Sequence, residues 1–163
     1  MRKSLECRLV DVHAKNCFKE ERLVSPDAVV RAWFKEVWDE GNEDAIDRLM
    51  APDAVAHGLG SDEIRGPEAF KPYVRTMRAA LGDLEVEVVQ TLTEGDRVAA
   101  HCHVVARHVG ALFGAAATQR PVDFWGITIV RVRDGRIVEG WNCFDFLRMY
   151  QQMGWVRDPP LPQ

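Results

Sequence analysis

Asp134-Gly135 sits between two β-patterned runs, FWGITIVRVR before it and RIVEGWNCF after it. The pair supplies the positive φ that a two-residue hairpin turn needs, so the runs must pair antiparallel in one register. FLRMYQQM then reads as a short closing helix, with Gly154 placed to end it in the left-handed conformation. Along the second run Glu139, Trp141, Cys143 and Asp145 recur at spacing two, so they share one face. Two acids, an indole and a thiol are an odd composition for a plain core. We expect that face to turn inward, into a hollow beneath the first helix.

Upstream, Ser25-Pro26-Asp27 combines a cap, a first-turn proline and an acid at the positive end of the helix dipole. Val30, Trp33, Phe34, Val37 and Trp38 then make one wide apolar stripe, ended by Gly41. Asn42 can cap a second helix that buries Ala45, Ile46, Leu49 and Met50 and stops before Pro52. His57 falls where a first short strand is expected. Gly66-Pro67 opens a third helix, which Pro72 should kink or force to restart. LEVEVVQTLTE and RVAAHCHVVARHV alternate as long strands. The second places His101, His103 and Arg107 on one face. Residues 110–119, rich in glycine and alanine, read as a mobile loop. Helices grouped before antiparallel strands indicate the α+β class.

The 163 residues fit one domain with a sizeable core, expected over residues 25–156 between an extension at 1–24 and a proline-rich tail at 157–163. In the extension, Leu5, Leu9 and Val12 fall at helical spacing. A net charge of −4 argues against nucleic acid or an anionic membrane as partner. Cys7, Cys17, Cys102 and Cys143 form no metal or redox spacing and read as free thiols. No apolar run approaches membrane-spanning length, and no signal-peptide core is evident. A cytoplasmic location is the expectation.

The ending matches DG-[KR]-I-x-E-x-W-x-x-x-D followed by a helix closing QQ-x-G. It resembles the final hairpin of SnoaL-like proteins, polyketide-cyclase relatives within the NTF2-like superfamily. Two linked helices followed by APDAVAHG resemble that superfamily's opening. The resemblance implies a cone: a curved, mostly antiparallel sheet wrapped around three N-terminal helices, with an interior cavity. It also implies a cofactor-independent enzyme that closes or isomerises a small carbonyl compound by aldol-type chemistry, with the motif's aspartate, here Asp145, as acid/base. Limonene-epoxide hydrolases, similar in fold, use W-x-D and R-x-D acids. This chain has W-x-C, and its neighbouring strand reads HCH, so that machinery is missing in that form.

Asp145 is thus the first catalytic candidate, with capping of the helix at Phe146 as the competing role. Glu139, roughly 20 Å away along an extended strand, cannot share one reacting centre with it and is expected to pair with an arginine. His57, His101 and His103 are candidates to carry protons or to donate hydrogen bonds to a carbonyl. A facial metal set from them is conceivable, but no known ligand spacing supports it, so no metal is expected. Trp33, Phe34, Phe124, Trp141 and Cys143 are candidates to line the ligand cavity; the aromatic residues serve a core equally well. Trp125, Ile127 and Ile129 lie opposite Phe124, Thr128 and Val130 on their strand, so both sheet faces should be covered, one by a second subunit in a symmetric homodimer. A non-catalytic binding or dimerisation module is the competing function.

Overall fold

A computed structural model describes residues 25–60 and 63–157. The expectations for the extension, and all of the tail beyond Arg157, fall outside those residues. Helix α1 begins at Pro26–Ala32 with Ser25 Oγ accepting from the Ala28 N–H at 3.1 Å. It continues through Trp33–Asp39 as a wide turn, in which the Glu40 N–H reaches back to the Lys35 carbonyl at 3.1 Å. The sequence pattern anticipates an ordinary α-helix. The wider i→i+5 winding instead brings Trp33, Phe34 and Trp38 to bear on the same side. Helix α2 (Glu43–Leu49) is capped by Asn42 as expected.

Strand β1 (Met50–His57) and the two-residue β2 (Ile64–Arg65) precede helix α3 (Gly66–Ala80). α3 runs through Pro72 without a restart. The carbonyl that loses its partner belongs to Glu68, an exposed residue that water can serve. Strands β3 (Leu81–Glu94), β4 (Arg97–His108), β5 (Pro121–Arg133) and β6 (Arg136–Phe144) follow, then helix α4 (Phe146–Met153). Asp134 and Gly135 turn β5 into β6 with φ of 48° and 72°. Gly154 ends α4 at φ 83°, with the Trp155 N–H bonded to the Tyr150 carbonyl.

The six strands form one curved, unclosed sheet in the order β2-β1-β6-β5-β4-β3. Every neighbour is antiparallel except β1 and β6, which run parallel. The fold is therefore α+β. Its core lies between the sheet's inner face and the helices, built from Val30, Phe34, Ile46, Phe70 and Val74 against Val98, Cys102, Val122 and Val130.

One register irregularity positions everything else. Arg131 pairs with Glu139 but Val132 pairs with Ile137, so Val138 has no partner on β5. An extra residue in one strand reverses the alternation beyond it. Ile137 faces in, and so do Gly140, Asn142 and Phe144 beyond the bulge; Trp141 and Cys143 face out.

The segment read as a mobile loop is pinned. Leu112 is 1% exposed, and its N–H and carbonyl both bond Ala115 across a turn formed by Phe113 and Gly114. Leu112→Ala is expected to cost about 3 kcal/mol, the usual loss for a buried leucine, read as a lower urea midpoint with an unchanged slope. A loss within about 0.5 kcal/mol, the range of surface substitutions, would show the segment to be unanchored.

Candidate functional site

Between α1, α3 and the inner face of β3–β6 lies a cavity with about 550 Å³ of empty space, part of it open to solvent. Trp33, Phe34 and Trp38 from α1, Phe70, Tyr73 and Met77 from α3, Val104 and Phe124 from the sheet, and Phe144 and Phe146 from the closing hairpin line it. The rings interlock: Trp33 and Phe70 centroids lie 5.1 Å apart, and Trp38 meets Tyr73 edge-on at 6.2 Å. Gly126 stands opposite Phe144 across the β5–β6 ladder, and a Cβ there would occupy the Phe144 ring's place. Glycine at this position lets the ring lie over the strand.

The lining is almost free of polar groups. Asn142 brings an amide whose Nδ2 donates to the His57 carbonyl at 2.9 Å, which leaves Oδ1 as the acceptor it can offer. Tyr73 brings a hydroxyl, and burial pushes its pKa above the ordinary tyrosine value, so it is a neutral donor. Among the described residues no carboxylate, histidine, lysine or arginine lines this cavity. A smaller recess adjoins it, sharing Trp33, Phe34, Phe70 and Asn142 and adding Thr128 and Val130. The Thr128 side chain is buried, and its Oγ1 has no hydrogen-bond partner among the described residues.

Of the anticipated residues, Trp33, Phe34 and Phe124 line the cavity. The others do not, and the bulge at Val138 is the reason for those on β6. Trp141 is 37% exposed and Cys143 is exposed, both on the sheet's outer face. Asp145 is exposed and caps α4, accepting from the Arg148 N–H at 2.8 Å. It lies in an open surface groove with Asp123, Trp125 and Arg148, not in the hollow. The capping role is the one the geometry displays.

The histidines also sit outside. His57 stacks on Trp141 at 5.5 Å, with Glu63 and Glu139 3.1 Å and 3.2 Å from its two ring nitrogens. Glu139 pairs with Arg131 at 3.4 Å, the arginine partner anticipated for it. His101 and His103 both lie against Trp125, at 4.8 Å and 4.3 Å, and His103 bonds Asp123 at 2.8 Å. Among the described residues no three His, Cys, Asp or Glu side chains converge as metal ligands would. Cys102 is buried, which pushes its thiol up to about 12 and leaves it inert.

With this geometry the similarities to known proteins acquire a physical meaning. The sequence model of the SnoaL-like polyketide cyclase family matches residues 28–153. The chain belongs to that family. SnoaL-like relatives include the aklanonic acid methyl ester cyclase DauD of Streptomyces sp. (strain C5), 30% identical over 144 residues, covering 83% of this chain and 88% of that one. The nogalonic acid methyl ester cyclase of Streptomyces nogalater is 29% identical over 129 residues, 74% of this chain and 93% of its own. Wild-type IdmH of Streptomyces antibioticus, proposed to be a polyketide cyclase, superposes with a TM-score of 0.70 at 29% identity, over 80% of this chain and 99% of that one. The SnoaL-like fold is the cone anticipated from the sequence, and the aromatic cavity is its interior.

Sequence reasoning missed Asn142, Tyr73, Phe70, Phe144 and Phe146. The available signal was Ile137-Val138, adjacent apolar residues directly after a tight turn, of which only one can face the core in an unbroken ladder. Asp145→Ala should cost about 1 kcal/mol, the usual loss of a helix cap, seen as a lower melting temperature. The affinity for any ligand of the cavity should stay unchanged, and Asp145→Asn should retain stability. A large loss of affinity with the fold intact would return Asp145 to the site.

Proposed function

We propose that the chain binds a neutral, flat, polyketide-like carbonyl compound in the aromatic cavity and promotes its aldol-type closure or isomerisation through an enol. The observation that carries this reading is the lining itself: stacked rings with two uncharged polar groups, Tyr73 and Asn142. A charged ligand would lose its hydration there with no counter-charge from the lining, so an uncharged one is favoured. The Tyr73 hydroxyl donates to the oxygen on which charge grows as the enol forms, and Asn142 holds the other end of the conjugated system. Enclosure keeps the reacting carbons close and aligned. The cyclase relatives supply the reaction class. Among the described residues the lining holds no carboxylate, so in this reading the proton leaves to solvent base at the open side of the cavity.

Tyr73→Phe is the direct test, with an aromatic polyketide methyl ester as substrate and isomeric product followed by chromatography. Turnover should fall about 100-fold, the scale of losing one polar contact to a developing oxyanion, with the circular dichroism spectrum unchanged. Unchanged turnover would refute the assignment. The competing reading, a binding module without catalysis, is favoured by the commitment of the Asp145 carboxylate to the α4 cap. Tight binding of such an ester with no conversion would establish it.

The proposal includes a symmetric homodimer through the outer sheet face. Trp141, Ile129, Ala99 and Leu92 form one row across four strands, and Cys143, Ile127 and His101 the next. Leu92, Trp125, Ile127, Ile129 and Trp141 are exposed there, an apolar area of the kind an isologous interface covers. Ile127→Glu should halve the mass seen by light scattering without unfolding the chain. A wild-type protein that is already monomeric at about 100 μM, well above the Kd of a stable interface, would remove this part.

A further inference from the structure

β5 turns Val122, Phe124, Gly126, Thr128, Val130 and Val132 inward, and Thr128 alone carries a polar group. Valine has the same shape and would leave no hydroxyl to satisfy. The register sets Thr128 directly across the ladder from Asn142, the inward polar residue of β6. Both line the small chamber that adjoins the main cavity, and Asn142 lines the two together. Thr128 is 1% exposed, and its Oγ1 lacks a partner among the described residues. One N–H of the Asn142 amide is spent on the His57 carbonyl, and its Oδ1 remains as the acceptor the pair offers a ligand.

We propose that this pair is a hydroxyl-recognition subsite at the inner end of the cavity. A ligand hydroxyl is the group that fits it, because it accepts from Thr128 O–H and donates to Asn142 Oδ1 at once. A carbonyl or an ether would satisfy Thr128 and leave the Asn142 Oδ1 unanswered. The rest of the chamber is apolar, with Trp33, Phe34 and Val130 on its walls. The ligand class is therefore an uncharged ring system with a phenolic or enolic hydroxyl on its leading edge. This rests on the cavity-binding reading above and narrows it: the compound enters with an enol or phenol at its buried end.

The test uses titration calorimetry of the purified chain with naphthalene, 2-methoxynaphthalene and 2-naphthol. Wild type should bind 2-naphthol about tenfold more tightly than 2-methoxynaphthalene, the scale of one satisfied hydrogen bond in a dry site. Asn142→Leu should erase that preference, which donation to Oδ1 creates; Thr128→Val should weaken 2-naphthol and 2-methoxynaphthalene alike, about tenfold relative to naphthalene, whereas Thr128→Ser should not. Without ligand, Thr128→Val should melt no lower than wild type, since a partnerless hydroxyl adds nothing to the empty fold. Naphthalene binding with no preference for the naphthol over the ether, or a 2-naphthol affinity that Thr128→Val leaves unchanged, would overturn the subsite alone. A lower melting temperature for Thr128→Val would also overturn it, because the hydroxyl would then serve the fold. If none of the three probes binds wild type, the cavity-binding reading fails and the subsite with it.

Discussion

Val138 has no partner on β5, and that single unpaired residue decides what the interior contains. Were the ladder unbroken, the side of β6 that carries Ile137 would also carry Glu139, Trp141 and Cys143 into the core. The bulge exchanges them for Gly140, Asn142 and Phe144. One charge, an indole and a thiol are thereby kept on the outer face, and one amide and one phenyl ring go inside. Burying Glu139 without its arginine would cost several kcal/mol. On the outer face the same carboxylate reaches both His57 and Arg131.

The interior that results is sparing with polarity. An apolar cavity strengthens each hydrogen bond made inside it and penalises each one left unmade, by about 1–3 kcal/mol for a neutral group. Such a site discriminates by satisfaction more than by charge. Tyr73 illustrates the point: burial holds it neutral, so it can give a proton to a hydrogen bond but does not ionise near neutrality. The helix side contributes shape. The wide turn at Trp33–Asp39 and the edge-on packing of Trp38 against Tyr73 and Phe70 fix the walls against which a flat ring can lie.

Most of the architecture was legible in the sequence, because its signals are local. Ser25 and Asn42 cap their helices through side chains a few residues away. Asp134-Gly135 and Gly154 adopt positive φ where the chain must reverse or end. The alternation along β4 and β5 separates inner from outer faces correctly. The candidate site was legible in part. Trp33, Phe34 and Phe124 were found because an apolar stripe and a strand face point to the interior without reference to anything else. Asp145, Trp141 and Cys143 were misplaced because their side depends on an unpaired residue several positions earlier, a relation between two strands. The histidines went the same way: His101 and His103 share a strand face with Trp125's cross-strand position, and only pairing reveals that this face is the outer one.

The parallel contact between β1 and β6 has a consequence for biogenesis. β6 is inserted between β1 and β5, so the middle of the sheet is filled by the last of the six strands in chain order. Until that segment leaves the ribosome, β1 has β2 and α3 beside it but one edge unpaired. Joining that edge to β5 through β6 is then one late, long-range event, of the kind that slows folding.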